Sequence, residues 1–154
     1  MKQLQFLIKP AAGHCNMRCH YCFYRDEQQN CTDTEDYMMS LATAETLIRR
    51  CFAELDKGGF VSFAFQGGEP TLAGLDFFRF FTQTVQKYNQ KRVTVQYAIQ
   101  TNGLAVTEEW AEFFSKEHFL VGISLDGTPD VHDALRPDAQ GNGTWEKVTQ
   151  TIEL

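Results

Sequence analysis

The order of secondary-structure signals along the chain constrains the fold more than any other feature of the sequence. Short β-rich runs at residues 4–8, 61–65, 93–99 and 120–125 each precede a segment with helical spacing. Strict alternation of strands and helices predicts a parallel sheet with right-handed crossovers. We therefore predict an α/β fold, in which residues that carry chemistry collect on the loops after the carboxyl ends of the strands.

The predicted helices carry apolar residues at helical spacing, which indicates that one face of each packs on the sheet. The first helix has Ser40 as a plausible N-cap, the second spans residues 75–88, the third is capped by Thr107, and the fourth begins near Thr144. The apolar stripe predicted for the first helix consists of Leu41, Ala44, Leu47, Ile48, Cys51, Phe52 and Leu55.

Composition excludes several classes of protein. The chain has 154 residues, 43% of them hydrophobic, and a net charge of −6, so it can bury one sizeable core and is a poor partner for nucleic acids or anionic membranes. No apolar run approaches the roughly 18 residues of a spanning helix, and the N-terminus lacks the order of a signal peptide. We expect one cytoplasmic domain.

Three cysteines lie on the loop after the first predicted strand. Cys15, Cys19 and Cys22 form a CxxxCxxC pattern. Iron-sulfur clusters of the ferredoxin type receive four thiolates, so three would leave one iron open to an exogenous chelator with amine and carboxylate groups. The spacing favours a cluster of this kind.

Two other interpretations of these cysteines remain open. With His14 or His20 they have the residue types of a Cys3His zinc site, although structural zinc more often uses two separated ligand pairs. Cys19 and Cys22 alone form a CxxC redox pair, but that interpretation leaves Cys15 unexplained.

The two remaining cysteines have simpler explanations. A reducing compartment would keep all five cysteines as thiols. Cys51 falls on the apolar side of a predicted helix and is expected in the core. Cys31 lies in a polar stretch, residues 26–36, and is predicted to be a spare exposed thiol rather than a fourth cluster ligand.

Each of the other predicted strands also ends in a sequence of interest. Residues 66–70 read QGGEP after the second strand, residues 100–103 read QTNG after the third, and residues 124–127 read SLDG at the end of the fourth. Each is an ordinary turn sequence by itself, although a Gly-Gly pair can admit a close ligand and Glu69 can receive a cation. Their coincidence at one end of a parallel sheet favours a functional site.

These motifs together resemble those of the radical S-adenosylmethionine (SAM) enzymes with a C-terminal SPASM extension. The resemblance rests on the cysteine loop with Tyr21, on the GGEP sequence, and on the stretch from His132-Asp133 through Arg136 to residues 141–145. The longer run FAFQGGEPTLAG at residues 63–74 is similar to anaerobic sulfatase-maturating enzymes.

The resemblance implies a set of cofactor-binding residues. It implies that Cys15, Cys19 and Cys22 ligate a 4Fe-4S cluster. The residues implied to contact S-adenosylmethionine are Tyr21 near the adenine, Gly67, Gly68 and Glu69 at the methionyl amine, and Ser124 near the ribose. The residues implied to line the substrate mouth are Tyr24, Gln66, Gln100, Asn102 and Asp126.

The implied activity is the oxidation of a Cys or Ser of a sulfatase polypeptide to Cα-formylglycine through a 5′-deoxyadenosyl radical. The implied electron donor is reduced flavodoxin or ferredoxin. Two alternatives stay open: a radical SAM/SPASM maturase of another ribosomal peptide, and a metal-binding remnant without turnover.

The chain is short for this family. A complete α/β barrel needs about 250 residues, so 154 residues predict a parallel-sheet (β/α) partial barrel, the first four βα units of a radical SAM core. We expect residues 1–154 to be a core domain that is incomplete at its C-terminus, with the SPASM auxiliary-cluster domain and the family's proton-accepting carboxylate absent. Turnover by this chain alone would then be incomplete.

Overall fold

The computed structural model of the protein describes residues 2–24 and 38–154. One four-stranded sheet is formed by β1 (Gln3–Ile8), β2 (Phe60–Phe65), β3 (Thr94–Thr101) and β4 (Phe119–Ile123). The helices are α1 (Leu41–Glu54), α2 (Leu75–Tyr88), α3 (Glu108–Lys116), α4 (Pro129–Leu135) and α5 (Trp145–Ile152), with a 3₁₀ turn at Pro70–Ala73. None of the helices in these described ranges is long and apolar enough to cross a membrane.

The sheet is parallel throughout and its strands follow one another in chain order, β1-β2-β3-β4. Ile8 pairs with Phe65, and Phe65 pairs with Ile99, so the carboxyl ends of the strands lie side by side at one edge of the sheet. This topology confirms the predicted α/β fold with a parallel sheet.

The core lies between the sheet and its helices. One aromatic residue from each strand lies in a row across the sheet, in the order Phe6, Phe63, Tyr97 and Phe119. The centroids of neighbouring rings in this row are 5.6, 6.2 and 4.9 Å apart. From the helical side, Phe78 packs on Phe65 at 4.9 Å between ring centroids. These aromatic rings bury a large apolar area for a chain of this length, and this burial stabilises the packing of the helices on the sheet.

The two ends of α1 show why the helix occupies this segment. Ser40 Oγ accepts a hydrogen bond from Thr43 N at 3.1 Å, as expected of an N-cap. At the other end Lys91 Nζ donates to the carbonyl oxygens of Phe52, Ala53 and Leu55. A cation at the end of a helix compensates carbonyl groups that lack an intrahelical partner.

The structure corrects several sequence expectations in detail. Leu41 was predicted in the buried stripe of α1 but is 49% exposed, because it is the first residue of the helix and precedes the turn that reaches the sheet. Thr107 is the N-cap of α3 but its side chain makes no capping hydrogen bond. Strand β3 extends to Thr101 and β4 ends at Ile123.

Helix α4 was not predicted from the sequence. It has seven residues beginning at Pro129, too few to show an apolar period, and lies between β4 and α5. Proline at the first helical position is a start signal that could have revealed it.

Candidate functional site

Hydrogen bonds join the ends of neighbouring strands to the loops that follow the adjacent strands. Gln66 N donates to Ile8 O at 3.0 Å, and Ser124 N donates to Thr101 O at 3.0 Å. The prediction that the four loop sequences gather at one edge of the sheet is therefore confirmed. This edge, with the cysteine loop seated on it, is the candidate functional site.

Two donors lie beside the sulfur of Cys15. Met17 N is 3.4 Å from Cys15 Sγ, and Asn102 Nδ2, from the loop after β3, is 3.5 Å from it. Burial raises the pKa of the Cys15 thiol to about 11, although both donors act in the opposite direction. Since metal ligands are thiolates, a bound metal would have to displace this proton.

The cysteine loop is also hydrogen-bonded to the end of α4 and to the segment that follows it. Arg18 N donates to Pro137 O and His20 N donates to Leu135 O, both at 2.9 Å. Met17 forms an isolated antiparallel bridge with Asp138. Backbone bonds on both sides thus fix a loop that has no regular secondary structure of its own.

The described cysteines form neither a disulfide nor part of a converged metal-binding group. Cys15, Cys19, Cys22 and Cys51 are free thiols, so the CxxC pair is not a disulfide here. Within residues 2–24 and 38–154, no three His, Cys, Asp or Glu side chains converge closely enough to hold a single metal ion. Cys51 is 3% exposed and belongs to the core as predicted, whereas Cys31 lies outside the described residues.

The Gly-Gly pair after β2 packs directly on the cysteine loop. Gly67 and Gly68 have φ angles of 102° and 54°, in the region that favours glycine. A Cβ on Gly68 would collide with the backbone of Gly13 and His14, and Glu69 N donates to His14 O at 2.6 Å. The pair is therefore required for close contact between two loops, whether or not a ligand also approaches it.

Glu69 is a buried carboxylate that joins the ends of β2 and β3. Its exposure is 1%. Oε1 accepts from Thr71 N, Thr71 Oγ1 and Thr101 Oγ1 at 3.0, 2.7 and 2.7 Å, and Oε2 accepts from Asn102 N at 2.7 Å. Four donors explain how the carboxylate is accommodated away from water.

A second carboxylate, Asp126, lies at the end of β4 and binds two residues from other loops. Its Oδ2 accepts from the Tyr21 hydroxyl and, at 2.9 Å, from Arg136 Nε. Burial raises the pKa of Asp126, but these two hydrogen bonds outweigh it and hold the pKa below its ordinary value. Burial and the bond to Asp126 raise the pKa of Tyr21 to about 12.

Arg136 extends this network to the cysteines. Its guanidinium lies over the ring of Tyr21, 5.2 Å from the centroid, and Nη1 is 3.9 Å from Cys19 Sγ. Sequence reasoning placed Arg136 in a family motif but gave it no role. No local signal connects it with Cys19, because the two are brought together only by the docking of α4.

The rest of that motif holds α4 and α5 together. His132 is fully buried; its Nδ1 accepts from Asp126 N and its Nε2 lies 3.0 Å from Thr144 Oγ1. Thr144 Oγ1 in turn donates to Arg136 O at 2.7 Å, which makes Nε2 the protonated nitrogen of His132. Asp133 Oδ1 accepts from the backbone N–H groups of Thr144, the N-cap of α5, and Trp145, its first residue.

The residues predicted to line a substrate mouth divide into two groups. Gln100 Nε2 donates to Ser124 Oγ at 3.0 Å, and with Gln66 it borders a cavity of about 350 Å³ on the face of the sheet away from the helices. Tyr24 lies at the other end of the cysteine loop with Lys9 Nζ 4.5 Å from its ring centroid. Asn102 and Asp126, by contrast, are engaged with the cysteine loop and Arg136.

Comparison with known proteins identifies the family. The sequence profile of the radical SAM superfamily matches residues 11–154. The chain belongs to this superfamily. It is 49% identical, over all of its 154 residues, to the cysteine-type anaerobic sulfatase-maturating enzyme of Clostridium novyi, of which it covers 41%.

The likeness extends to a serine-type enzyme and to a solved structure. The chain is 34% identical over 149 residues to the serine-type anaerobic sulfatase-maturating enzyme of Klebsiella aerogenes, covering 96% of this chain and 36% of the relative. It superposes on native anSMEcpe with bound AdoMet and Kp18Cys peptide with a TM-score of 0.89 and 40% identity, covering 99% of this chain and 40% of that one. The chain therefore spans less than half the length of these relatives.

Proposed function

We propose that this chain is the cofactor-binding, amino-terminal part of a radical SAM core that oxidises a sulfatase polypeptide to Cα-formylglycine. The observation that carries the proposal is the cysteine loop, which lies against the ends of β2, β3 and β4 in a chain that is similar over its whole length to sulfatase-maturating enzymes. The higher identity to the cysteine-type relative, 49% against 34%, supports a cysteine rather than a serine as the substrate residue.

The residues of the cysteine loop fit a 4Fe-4S cluster. Cys15, Cys19 and Cys22 supply three sulfur ligands on one short loop, and N–H groups of Met17, Asn102 and Arg136 face two of the sulfurs. Hydrogen bonds to ligand sulfurs are a usual feature of such sites. When bound, the cluster would supply the electron that cleaves S-adenosylmethionine.

The residues proposed for S-adenosylmethionine surround the same loop. Gly67 and Gly68 bring the backbone after β2 against the cysteine loop, and Ser124 Oγ lies at the end of β4 with Gln100 Nε2 as its donor. Tyr21 is held by Asp126 at the rim of the site. These groups can meet the methionyl, ribose and adenine portions of the ligand respectively, as the family resemblance implies.

The hydrogen bonds of Glu69 indicate which of its two carboxylate oxygens can still bind a ligand. Each carboxylate oxygen has about two lone-pair sites, and Oε1 already receives three donors. Oε2 receives only Asn102 N and retains capacity for one more. A methionyl ammonium would therefore reach Glu69 through Oε2, and the same carboxylate would also position Asn102 beside Cys15.

The polypeptide substrate and the electron donor are the proposed partners. The uncharged side chains of Gln66 and Gln100 border the cavity beside the sheet and can exchange amide hydrogen bonds with a peptide backbone. Reduced flavodoxin or ferredoxin would supply the electron. The two described site carboxylates, Glu69 and Asp126, have hydrogen-bond partners within the protein, so we propose neither as the catalytic base.

Cluster loading and peptide oxidation can be tested on cysteine variants. Replacement of Cys15, Cys19 or Cys22 by Ala should abolish an iron and sulfide content of about four each, because each thiolate holds its own iron. Cys51→Ala is the matched control, since Cys51 is a buried thiol of the core. Iron binding that survives the loss of a loop cysteine, or depends on Cys51, would contradict the assignment.

The substrate proposal needs a separate measurement. The anaerobically reconstituted protein is incubated with dithionite, S-adenosylmethionine and a peptide that carries the cysteine of a sulfatase, and mass spectrometry follows formylglycine and 5′-deoxyadenosine. Because turnover by this chain alone is expected to be incomplete, we expect 5′-deoxyadenosine release that depends on Cys19, without formylglycine. Formylglycine that depends on Cys19 would support sulfatase maturation directly. Cofactor cleavage that leaves this peptide unchanged but modifies another ribosomal peptide would assign the protein to a different maturase.

A further inference from the structure

Within residues 2–24 and 38–154, Arg136 is the only arginine or lysine within hydrogen-bond reach of a cysteine sulfur. Nη1 of Arg136 is directed to Cys19 Sγ at 3.9 Å, while Nε of the same guanidinium binds Asp126 Oδ2 at 2.9 Å. One planar group thus connects a carboxylate at the end of β4 with a cysteine of the loop after β1. Guanidinium groups suit this task because their donors have fixed directions.

Several contacts hold the guanidinium in this orientation. The side chains of Arg136 and Asp126 are 15% and 26% exposed, so solvent screens their charges less than at the surface. The Tyr21 ring covers one face of the guanidinium, and the Tyr21 hydroxyl donates to the same Asp126 oxygen. On the backbone side, Arg136 N donates to His132 O and Arg136 O accepts from Thr144 Oγ1, both at 2.7 Å.

We propose that Arg136 raises the reduction potential of the cluster by holding a positive N–H donor at the sulfur of Cys19, with Asp126 as its opposing charge. The inference rests on the proposed cluster. The potential of an iron-sulfur cluster depends on hydrogen bonds to its sulfurs, on net charge and on exposure. Arg136 supplies the first two of these at Cys19.

The sign follows from the charge balance of the couple. Reduction adds one electron to the bound cluster, supplied in the test by dithionite, and no bond is made or broken in that step. The added negative charge is stabilised by a nearby cation and destabilised by a nearby carboxylate. Removal of the Arg136 charge should therefore lower the potential, and removal of the Asp126 charge should raise it.

Redox titration of the reconstituted protein, followed by electron paramagnetic resonance, measures the predicted shift. The signal that changes on addition of S-adenosylmethionine identifies the relevant cluster. In Arg136→Gln, the ratio of reduced to oxidised cluster at a fixed potential should fall about tenfold, which is ~59 mV for a one-electron couple. Arg79→Gln is the matched control, because Arg79 carries the same charge in an exposed ion pair with Glu109.

Asp126→Asn separates electrostatics from folding. Its carboxamide oxygen can still accept from Arg136 Nε, so the guanidinium keeps a partner while one negative charge is removed. The proposal requires a higher potential in this variant, whereas loosening of the loop would shift both variants in the same direction. If Arg136→Gln fails to load iron, the test rests on Asp126→Asn. A higher potential in that variant supports the proposal, and a lower potential overturns it.

The outcomes distinguish this inference from the proposed function. A wild-type protein that loads the cluster and responds to S-adenosylmethionine, with an unchanged potential in Arg136→Gln, would overturn the role of Arg136 alone. The same holds if Arg79→Gln shifts the potential as much, or if Asp126→Asn lowers it. A wild-type protein that binds no iron would overturn the proposed function itself.

Discussion

Glu69 can be tested for a structural role that is independent of any ligand. In Glu69→Gln the side chain keeps its shape but has one oxygen in place of two, so a buried N–H group must face an NH₂ group. If the retained oxygen stays with Thr71 and Thr101, Asn102 N loses its acceptor. The variant should destabilise the metal-free protein when it is measured without S-adenosylmethionine.

The expected magnitude follows from the four hydrogen bonds. Loss of one bond to a charged acceptor costs about 1.5–3 kcal/mol, and conversion of three others from charged to neutral bonds costs about 1 kcal/mol each. The sum is on the order of 5 kcal/mol. Since domains of this size are stable by about 5–15 kcal/mol, the variant should be close to unfolding.

Urea unfolding of the metal-free protein, followed by circular dichroism, measures the difference in free energy of unfolding. Glu45→Gln is the matched control, because Glu45 accepts from Lys87 Nζ and Tyr88 OH at the surface and should cost less than about 1 kcal/mol. A Glu69→Gln variant within about 1 kcal/mol of the wild type would refute the reasoning. A loss of S-adenosylmethionine affinity in that case would point to direct ligand contact alone.

Two further predictions concern the loop contact and the buried histidine. Gly68→Ala should reduce both stability and iron loading more than the control Gly58→Ala does. Both positions have a positive φ, but an added Cβ meets the His14 carbonyl at Gly68 and open space at Gly58. Equal losses of the two variants in unfolding and iron assays would count against a steric requirement at Gly68. Burial lowers the pKa of His132 from 6.5, and its Nδ1 already accepts from Asp126 N. The contribution of neutral His132 to the free energy of unfolding should be complete above pH ~6.5 and should decline as the pH falls toward the folded pKa. Urea titrations at several pH values measure this decline. The decline should be smaller in His132→Gln.

The fold was accessible from the sequence because its signals are local. Strand and helix periods, with Ser40 as a cap, predicted the β-α order, and the parallel topology follows from that order. The details of individual helices were harder to predict from the sequence. Leu41 fits the helical period, yet its position at the first turn of α1 leaves it exposed, and α4 is too short to produce a periodic signal.

The candidate site could be located from sequence, but not its internal connections. The rule that loops meet at the carboxyl edge of a parallel sheet placed the cysteines beside the GGEP sequence. That Glu69 would receive four donors, or that Arg136 would reach Cys19 across 117 positions of sequence, depends on side-chain directions set by tertiary packing. Spacing carries no information about such contacts.

The two site carboxylates, on the same edge of the sheet, affect different properties of the protein. Glu69 is buried and surrounded by four donors, so its charge is balanced by dipoles and its removal should be felt chiefly in stability. Asp126 is about one-quarter exposed and is balanced by a single cation, Arg136, which also contacts Cys19. A change at Asp126 therefore alters the charge next to the cysteine loop while leaving the sheet intact, whereas a change at Glu69 alters the frame that positions Asn102 and Cys15. Stability and cluster potential should accordingly respond to different carboxylates of the same site.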